Sequence, residues 1–272
     1  MKIKDHFLTG EHFELVSTEI KGVLKTEPVP SQLNRYYQSK EYISHHQDGK
    51  SIKQRIYKWA QSFNLNFKRN ILAQYLPKNA NVLDYGCGVG DFLGFIENDY
   101  ITYGFEPSLE AQSIASTKLQ KTRILAELNE IPNHSLDAIT LWHVLEHIEN
   151  QDDILNEFYN KLKTNGLLIL ALPNHESYDA QYYKSDWAAY DVPRHLYHYS
   201  RQGAITKFNS TKWHLLKIKP LLLDSIYISL LSEKYRKNPF GFFFAPIIGT
   251  ISNFKALKSG DFSSLVYILE KK

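Results

Sequence analysis

The sequence predicts an α/β protein built on a parallel sheet, on three observations. Short apolar runs alternate with helically spaced segments from residue 81 to residue 173, a glycine-rich turn follows the first run, and Gly166 to Leu172 carries no polar side chain. Alternation of this kind places helices over a parallel sheet, and a strand with no polar face is buried on both sides. The strand-like segments are 81–85, 101–105, 122–125, 136–142 and 166–172, with 213–219 and 264–270 beyond them; helical patterns occupy 90–97, 108–119, 152–162 and 200–209. Upstream, Ile52, Ile56, Trp59, Phe63, Phe67, Ile71, Leu72 and Tyr75 recur at helical spacing until Pro77 ends the run.

The flanking regions carry less signal. Residues 1–30 end in Pro28-Val-Pro30 and read as a small extension closed by a stiff turn, while 174–199 reads as an aromatic and polar insertion over the ligand edge of the sheet. The stretch Pro239 to Ile251, with Phe240, Phe242, Phe243 and Phe244, is too short to span a bilayer, which takes about 20 residues, and is expected to be buried or to form a lid. With 272 residues and 43% hydrophobic content the chain can bury a substantial core, and a net charge of +3 with scattered basic residues gives no footprint for nucleic acid. The single cysteine, Cys87, excludes an intrachain disulfide. The polar start Met1-Lys-Ile-Lys-Asp5 lacks a secretory pattern, so a cytoplasmic location is expected.

The chemistry concentrates in Val82-Leu-Asp-Tyr-Gly-Cys-Gly-Val-Gly90. A strand running into a glycine turn and a helix directs backbone N–H groups to the carboxyl edge of the sheet, where open α/β folds bind ligands. Sixteen residues after Gly90, the next strand ends in Glu106, an acid suited to two ribose hydroxyls. Loop and acid together describe a nucleoside site. The dinucleotide spacing G-x-G-x-x-G is not met, because Asp91 stands at the third position, and Asp84 suits a positively charged ligand better than a pyrophosphate.

These residues resemble the first two motifs of class I S-adenosylmethionine-dependent methyltransferases, the second being Gly104-Phe-Glu-Pro-Ser108. Leu136 to His147 is similar to that family's fourth strand and following turn, and Leu162 to Leu170 to its fifth-strand segment. The resemblance implies a three-layer, Rossmann-like, seven-stranded and mostly parallel sheet with the last strand antiparallel, preceded by a helical extension. It also implies cofactor contacts from Asp84, Gly86, Cys87, Gly88, Gly90, Glu106, Pro107, Trp142, His143 and Tyr42. A narrower likeness, through Tyr36 to His45 and Val192 to Ser200, is to bacterial methyltransferases of polysaccharides and secondary metabolites. Relatives of that group carry a cysteine-based zinc ribbon; residues 16–26 hold no cysteine, so that metal is not carried over and none is expected. The domain reading is an extension and lid over 1–50 and a catalytic domain over 51–272, with the cofactor core at 80–175 and acceptor-side insertions at 174–199 and 221–262.

Candidate catalytic residues are His143, at the end of a strand near the transferred methyl, and His195, in the loop after the fifth strand. Arg194 and His195 either reach the acceptor or tie a polar loop through their own hydrogen bonds. His143-x-x-Glu-His147 matches an inverted zinc-protease pattern, but the histidines follow a strand instead of lying within a helix, and Glu146 and His147 read as structural. Trp142-His143-Val144-Leu145 differs from the Asn/Asp-Pro-Pro-aromatic stretch of amino methylation on nucleic acid. The expected partner is a small-molecule or sugar- or lipid-linked acceptor, with no nucleic acid and no transmembrane segment. A non-catalytic cofactor-binding subunit and, behind it, an NAD-dependent oxidoreductase stand as the alternatives.

Overall fold

The computed structural model describes residues 1–37 and 52–272, with the backbone alone for 52–57. Strands β1 (Lys2–Lys4), β2 (His12–Ser17) and β3 (Val23–Glu27) come first, followed by a 3-10 turn (Leu33–Tyr37) and helix α1 (Ile52–Tyr75). The central run is β4 (Asn81–Tyr85), α2 (Asp91–Ile96), β5 (Ile101–Phe105), α3 (Leu109–Lys118), β6 (Arg123–Leu125), β7 (Leu136–Trp142), α4 (Gln151–Lys161) and β8 (Leu162–Pro173). The remainder is α5 (Tyr178–Tyr183), β9 (Tyr197–Tyr199), α6 (Arg201–Phe208), β10 (Trp213–Pro220), α7 (Asp224–Tyr235), α8 (Gly241–Ser259) and β11 (Ser264–Lys271).

Seven strands form the central sheet in the order β10-β11-β8-β7-β4-β5-β6. Only β11 runs against its neighbours, so the expected sheet with a reversed last strand is present. Adjacent residues of one strand face opposite sides of a sheet. Leu83, Ile139, Leu168 and Leu170 accordingly meet Phe158 of α4 on one face, while Val82, Ala138 and Ile169 meet Ile71, Leu72, Phe92 and Ile96 of α1 and α2 on the other. Both faces are covered, and this is why the sequence of β8 lacks polar alternation. The chain leaves β4 toward β5 on one side and toward β7 on the other, and the crevice at that reversal is where open sheets of this type hold ligands.

Three features differ from the sequence reading. Residues 1–30 build a second antiparallel sheet, β1-β2-β3-β9, in which β3 pairs with the return strand of the 174–199 insertion. The aromatic run at the start of α8 is neither buried nor folded over the site: Phe240, Phe242 and Phe243 are each more than 60% exposed. The inward face of α8 is instead the small-residue set Gly241, Ala245, Gly249, Ser252 and Ala256, joined by Ile248. A Cβ at Gly249 would come within 2.8 Å of the Ile226 backbone, so this close approach to α7 turns the phenylalanines outward. Trp59 and Phe63 of α1 are also exposed and stack on each other, whereas Ile71 and Leu72 carry that helix into the core. No helix among the described residues is long and apolar enough to cross a membrane.

Gly104 lies in β5 beside the glycine turn, and its missing side chain leaves room for the Cys87 thiol. A Cβ there would lie 2.7 Å from Leu93 Cδ1, 2.8 Å from Ile124 Cδ1 and 2.9 Å from Cys87 Sγ. Gly104→Ala should therefore cost about 1–3 kcal/mol through overpacking, read as a lower urea midpoint at unchanged slope; an unaltered midpoint would contradict this packing.

Candidate functional site

Register brings the site together. Asp84 pairs with Gly104 of β5 and with Thr140 of β7, so the ends of β4, β5 and β7 form one lip. Beyond β4 the backbone takes left-handed conformations at Gly86, Gly88 and Gly90, which L side chains rarely adopt. A Cβ at Gly86 would strike Val144, but one at Gly88 would meet nothing within 4 Å. The space over Gly88 is thus open to a ligand. Glu106 stands beside it, accepting hydrogen bonds from Gly88 N at 2.9 Å and Ser108 N at 3.0 Å, which fixes the carboxylate and leaves acceptor capacity for hydroxyls. Pro107 is exposed at the same lip. The Cys87 side chain points away, packing with Leu93, Ala115 and Leu119, and burial pushes its thiol far above the ordinary range, which fits packing and not nucleophilic chemistry.

Asp84 is almost wholly buried and accepts a 2.6 Å hydrogen bond from Thr140 Oγ1. Burial raises its pKa to about 6, against the opposing pull of the Thr140 hydroxyl and of Lys68. A carboxylate held in this way gains most from a cationic ligand. Lys68, which the sequence reading missed, stands on α1 with its ammonium 4.5 Å from the centre of the Trp142 ring, and burial lowers its pKa despite Asp84, Asp224 and Asp91 nearby. Trp142 packs edge-on against Phe92, and its buried indole N–H has no hydrogen-bond partner among the described residues.

His143 follows Trp142 in a turn with φ 59° and has 34% of its side chain exposed. Its Nε2 lies 2.9 Å from Asp224 Oδ2 at the start of α7, and its Nδ1 lies 3.4 Å from Glu146 Oε1. Burial would lower its pKa, but hydrogen bonding to Asp224 and Glu146 outweighs it and sets the value at about 10. Protonation of His143 is therefore favoured, which weighs against proton abstraction by this catalytic candidate. No sequence pattern linked Asp224 to it across 81 positions.

Residues 145–147 form a 3-10 turn, so His143 and His147 are not paired along a helix. His147 joins His195 instead, the two rings meeting edge to face at 4.6 Å beside the Glu146 carboxylate. Its pKa falls to about 4, through burial and the proximity of His195. The insertion is tied to this turn by the bond from Leu196 N to Glu146 O at 2.8 Å. Tyr37 reaches His147 Nδ1 at 3.1 Å, while Tyr36 is buried beside Phe13 with its hydroxyl donating to Glu11. Tyr42 and His45 lie outside the described residues.

Arg194 does not face the acceptor space, which corrects its expected contact with substrate. Its side chain is 1% exposed, with Nε and Nη2 donating to Asp191, Nη2 also to Asp5 at 3.0 Å, and Nη1 to Tyr36 O at 3.1 Å. The partner Asp5 comes from the turn between β1 and β2, and nothing in the sequence announced that pairing. Arg194 thus clamps the loop that carries His195, whose Nδ1 bonds to Ala189 O at 2.9 Å.

The family model for the methyltransferase domain matches residues 52–207, more than half of the chain, and the chain belongs to that family, with S-adenosylmethionine as its cofactor. A protein of Methanocaldococcus jannaschii is 31% identical over 144 residues, covering 49% of this chain and 56% of that protein. A carboxy-S-adenosyl-L-methionine synthase of Campylobacter jejuni is 29% identical over 118 residues, covering 40% of this chain and 50% of that protein. The chain spans about half the length of these curated relatives. Among solved structures, the Streptomyces coelicolor geranyl diphosphate C-methyltransferase, in complex with S-adenosyl-L-homocysteine, superposes with TM-score 0.51 at 14% identity over 76% of each chain. A Mycobacterium tuberculosis cyclopropane synthase superposes with TM-score 0.54 at 13% identity over 89% of this chain and 95% of that one. These likenesses show the fold. The residues present fit the cofactor: open room over Gly88, a fixed carboxylate for hydroxyls at Glu106, and a buried carboxylate for a cation at Asp84.

Because burial raises the pKa of Asp84, the ionised form opposes folding above about pH 6, and that penalty disappears below the unfolded value near 3.8. Asp84→Asn should stabilise the cofactor-free protein by about 1–3 kcal/mol at pH 7.5 and by nothing measurable at pH 4, while weakening S-adenosylmethionine binding at least about tenfold. Wild-type affinity should fall as pH drops through 6. Thermal melts and calorimetric titrations check both, and a destabilised Asp84→Asn at pH 7.5 contradicts the assignment. Arg194→Ala should cost about 3 kcal/mol in chemical unfolding, since it removes the cation from the buried Asp5 and the partly buried Asp191.

Proposed function

We propose that the protein transfers the sulfonium methyl group of S-adenosylmethionine to an oxygen or nitrogen of a small-molecule or sugar- or lipid-linked acceptor. The observation that carries this reading is the single lip on which two unlike groups of residues meet. Asp84, Gly88 and Glu106 stand at the ends of β4 and β5, and His143, Glu146, His147 and His195 gather beyond β7, the neighbouring strand. The first group suits a cationic nucleoside and the second a polar acceptor. When bound, the cofactor supplies an electrophilic methyl and a neutral thioether leaving group.

The chain's own work is alignment, exclusion of water and charge placement. Asp84 binds the ammonium end, Glu106 binds the ribose, and Trp142 walls the pocket. The clamped 191–196 loop holds the buried His195 ring against His147, on the side assigned to the acceptor. Tyr183, Trp187 and Tyr190 of the insertion are buried against α7 and α8, so they stiffen the cover and do not line an apolar pocket. An acceptor met by imidazoles and carboxylates suits hydroxyl or amine chemistry. We assign residues 51–272 to the catalytic unit, with 1–50 and the insertions 174–199 and 221–262 on its acceptor side.

Acceptor-dependent release of S-adenosylhomocysteine separates this reading from a subunit that binds the cofactor without turnover. Glu106→Ala should weaken cofactor binding about a hundredfold. His195→Ala should lower kcat by about a hundredfold or more with the cofactor Kd within about threefold of wild type. Full turnover by His195→Ala would overturn its place at the acceptor.

A further inference from the structure

Glu146 presents an anomaly that the transfer reading leaves unused. Its carboxylate is completely buried; among the described residues Oε1 has the His143 ring at 3.4 Å, and Oε2 has no hydrogen-bond partner. A buried carboxylate in that state costs several kcal/mol unless something compensates it. The two neighbouring imidazoles are oriented so that they can. His147 Nδ1 lies 2.9 Å from Arg194 O and His195 Nδ1 lies 2.9 Å from Ala189 O. A carbonyl only accepts, so each Nδ1 carries the hydrogen, and each neutral ring keeps its lone pair on Nε2. Backbone-anchored imidazoles of this kind recur where histidine binds a metal, because the second bond fixes both tautomer and ring direction. One ligand atom from each of Glu146, His147 and His195 lies within 4.8 Å of the others, the only such trio found among the described residues. Ligands at about 2.1 Å from one tetrahedral ion stand about 3.4 Å apart, so the three side chains would draw inward on an ion they share.

We propose that Glu146, His147 and His195 form a binding site for one divalent transition-metal ion. Two imidazoles and a carboxylate favour zinc and its first-row neighbours over magnesium or calcium, which prefer all-oxygen shells. Three protein ligands leave at least one position open, and the site stands on the acceptor side of the lip. Resting on the methyl-transfer reading, we assign that position to the acceptor oxygen: its O–H proton leaves to solvent as the ion lowers its pKa, and an O–C bond forms as the C–S bond breaks with its electron pair kept by sulfur.

The test uses untagged full-length protein stripped with a chelator and titrated with Zn2+ against a chromophoric competitor, and with Co2+ read by its visible absorption. Wild type should take up one equivalent. His147→Ala, His195→Ala and Glu146→Gln should each weaken uptake at least a hundredfold, while His214→Ala, at an exposed histidine, should leave it unchanged. Circular dichroism and cofactor titration establish that each variant is folded, and His195→Gln serves if Glu146→Gln is not. No stoichiometric uptake by folded wild type, or uptake indifferent to all three substitutions, overturns the proposal. Cofactor binding without metal uptake would sink the metal site alone, whereas metal uptake without methyl transfer would leave it standing and sink the use assigned to it.

Discussion

The parallel register of β4 with β5 and β7 is the constraint on which the site depends. A shift of one residue in either pairing would send Asp84 to the other face of the sheet and separate it from Thr140, whose hydroxyl holds the carboxylate in place. The same pairing sets Gly104 beside Asp84, and the absence of a side chain at Gly104 lets Cys87 tuck inward so that the glycine turn can lie flat against β5. Gly86 N and Cys87 N both donate to Phe105 O, at 2.7 and 3.0 Å, and these bonds lock the turn onto the strand that ends in Glu106. Cofactor recognition thus follows from strand pairing, with few side chains needed.

The acceptor side is organised differently, by long-range ties between the N-terminal sheet, the insertion and the turn after β7. β3 pairs with β9, Arg194 joins Asp5 to Asp191, and Leu196 bonds to the backbone of Glu146. The first two fix the 191–199 segment to the N-terminal sheet, and the last joins it to the turn after β7. The first thirty residues therefore act on the site through the loop that carries His195, Thr26 Oγ1 donating to His195 O at 2.7 Å. Burying an arginine with two carboxylates is a poor way to gain net stability, but it sharply penalises any loop position that breaks the set.

Legibility in the sequence followed the same division. The central strands and helices could be read almost to the residue because each has a strong period and sits between turn residues, and the glycine turn with Glu106 could be read because local spacing alone defines it. The small N-terminal sheet escaped notice because its strands are short and pair with a strand about 170 residues away. Asp224, Lys68 and the Glu146–His147–His195 group escaped because no local pattern encodes a meeting of distant side chains. The phenylalanines of α8 misled for a related reason: hydrophobicity drew attention to the large residues, while the buried face was written in glycine, alanine and serine at helical spacing.

One charge network joins the two halves. Lys68 on α1 feels Asp84 on the cofactor side and Asp224 on the acceptor side, and Asp224 in turn holds His143. In the proposed binding mode, a cationic cofactor at Asp84 would satisfy that carboxylate and lessen its pull on Lys68, leaving Asp224 and Asp91 as the ammonium's acidic neighbours. Asp224 then divides its charge between Lys68 and the His143 imidazolium at the wall of the acceptor space. Because Asp224 opens α7, which packs against α8 and the buried aromatics of the insertion, the electrostatic consequence of filling the cofactor pocket reaches the cover of the acceptor side through one carboxylate.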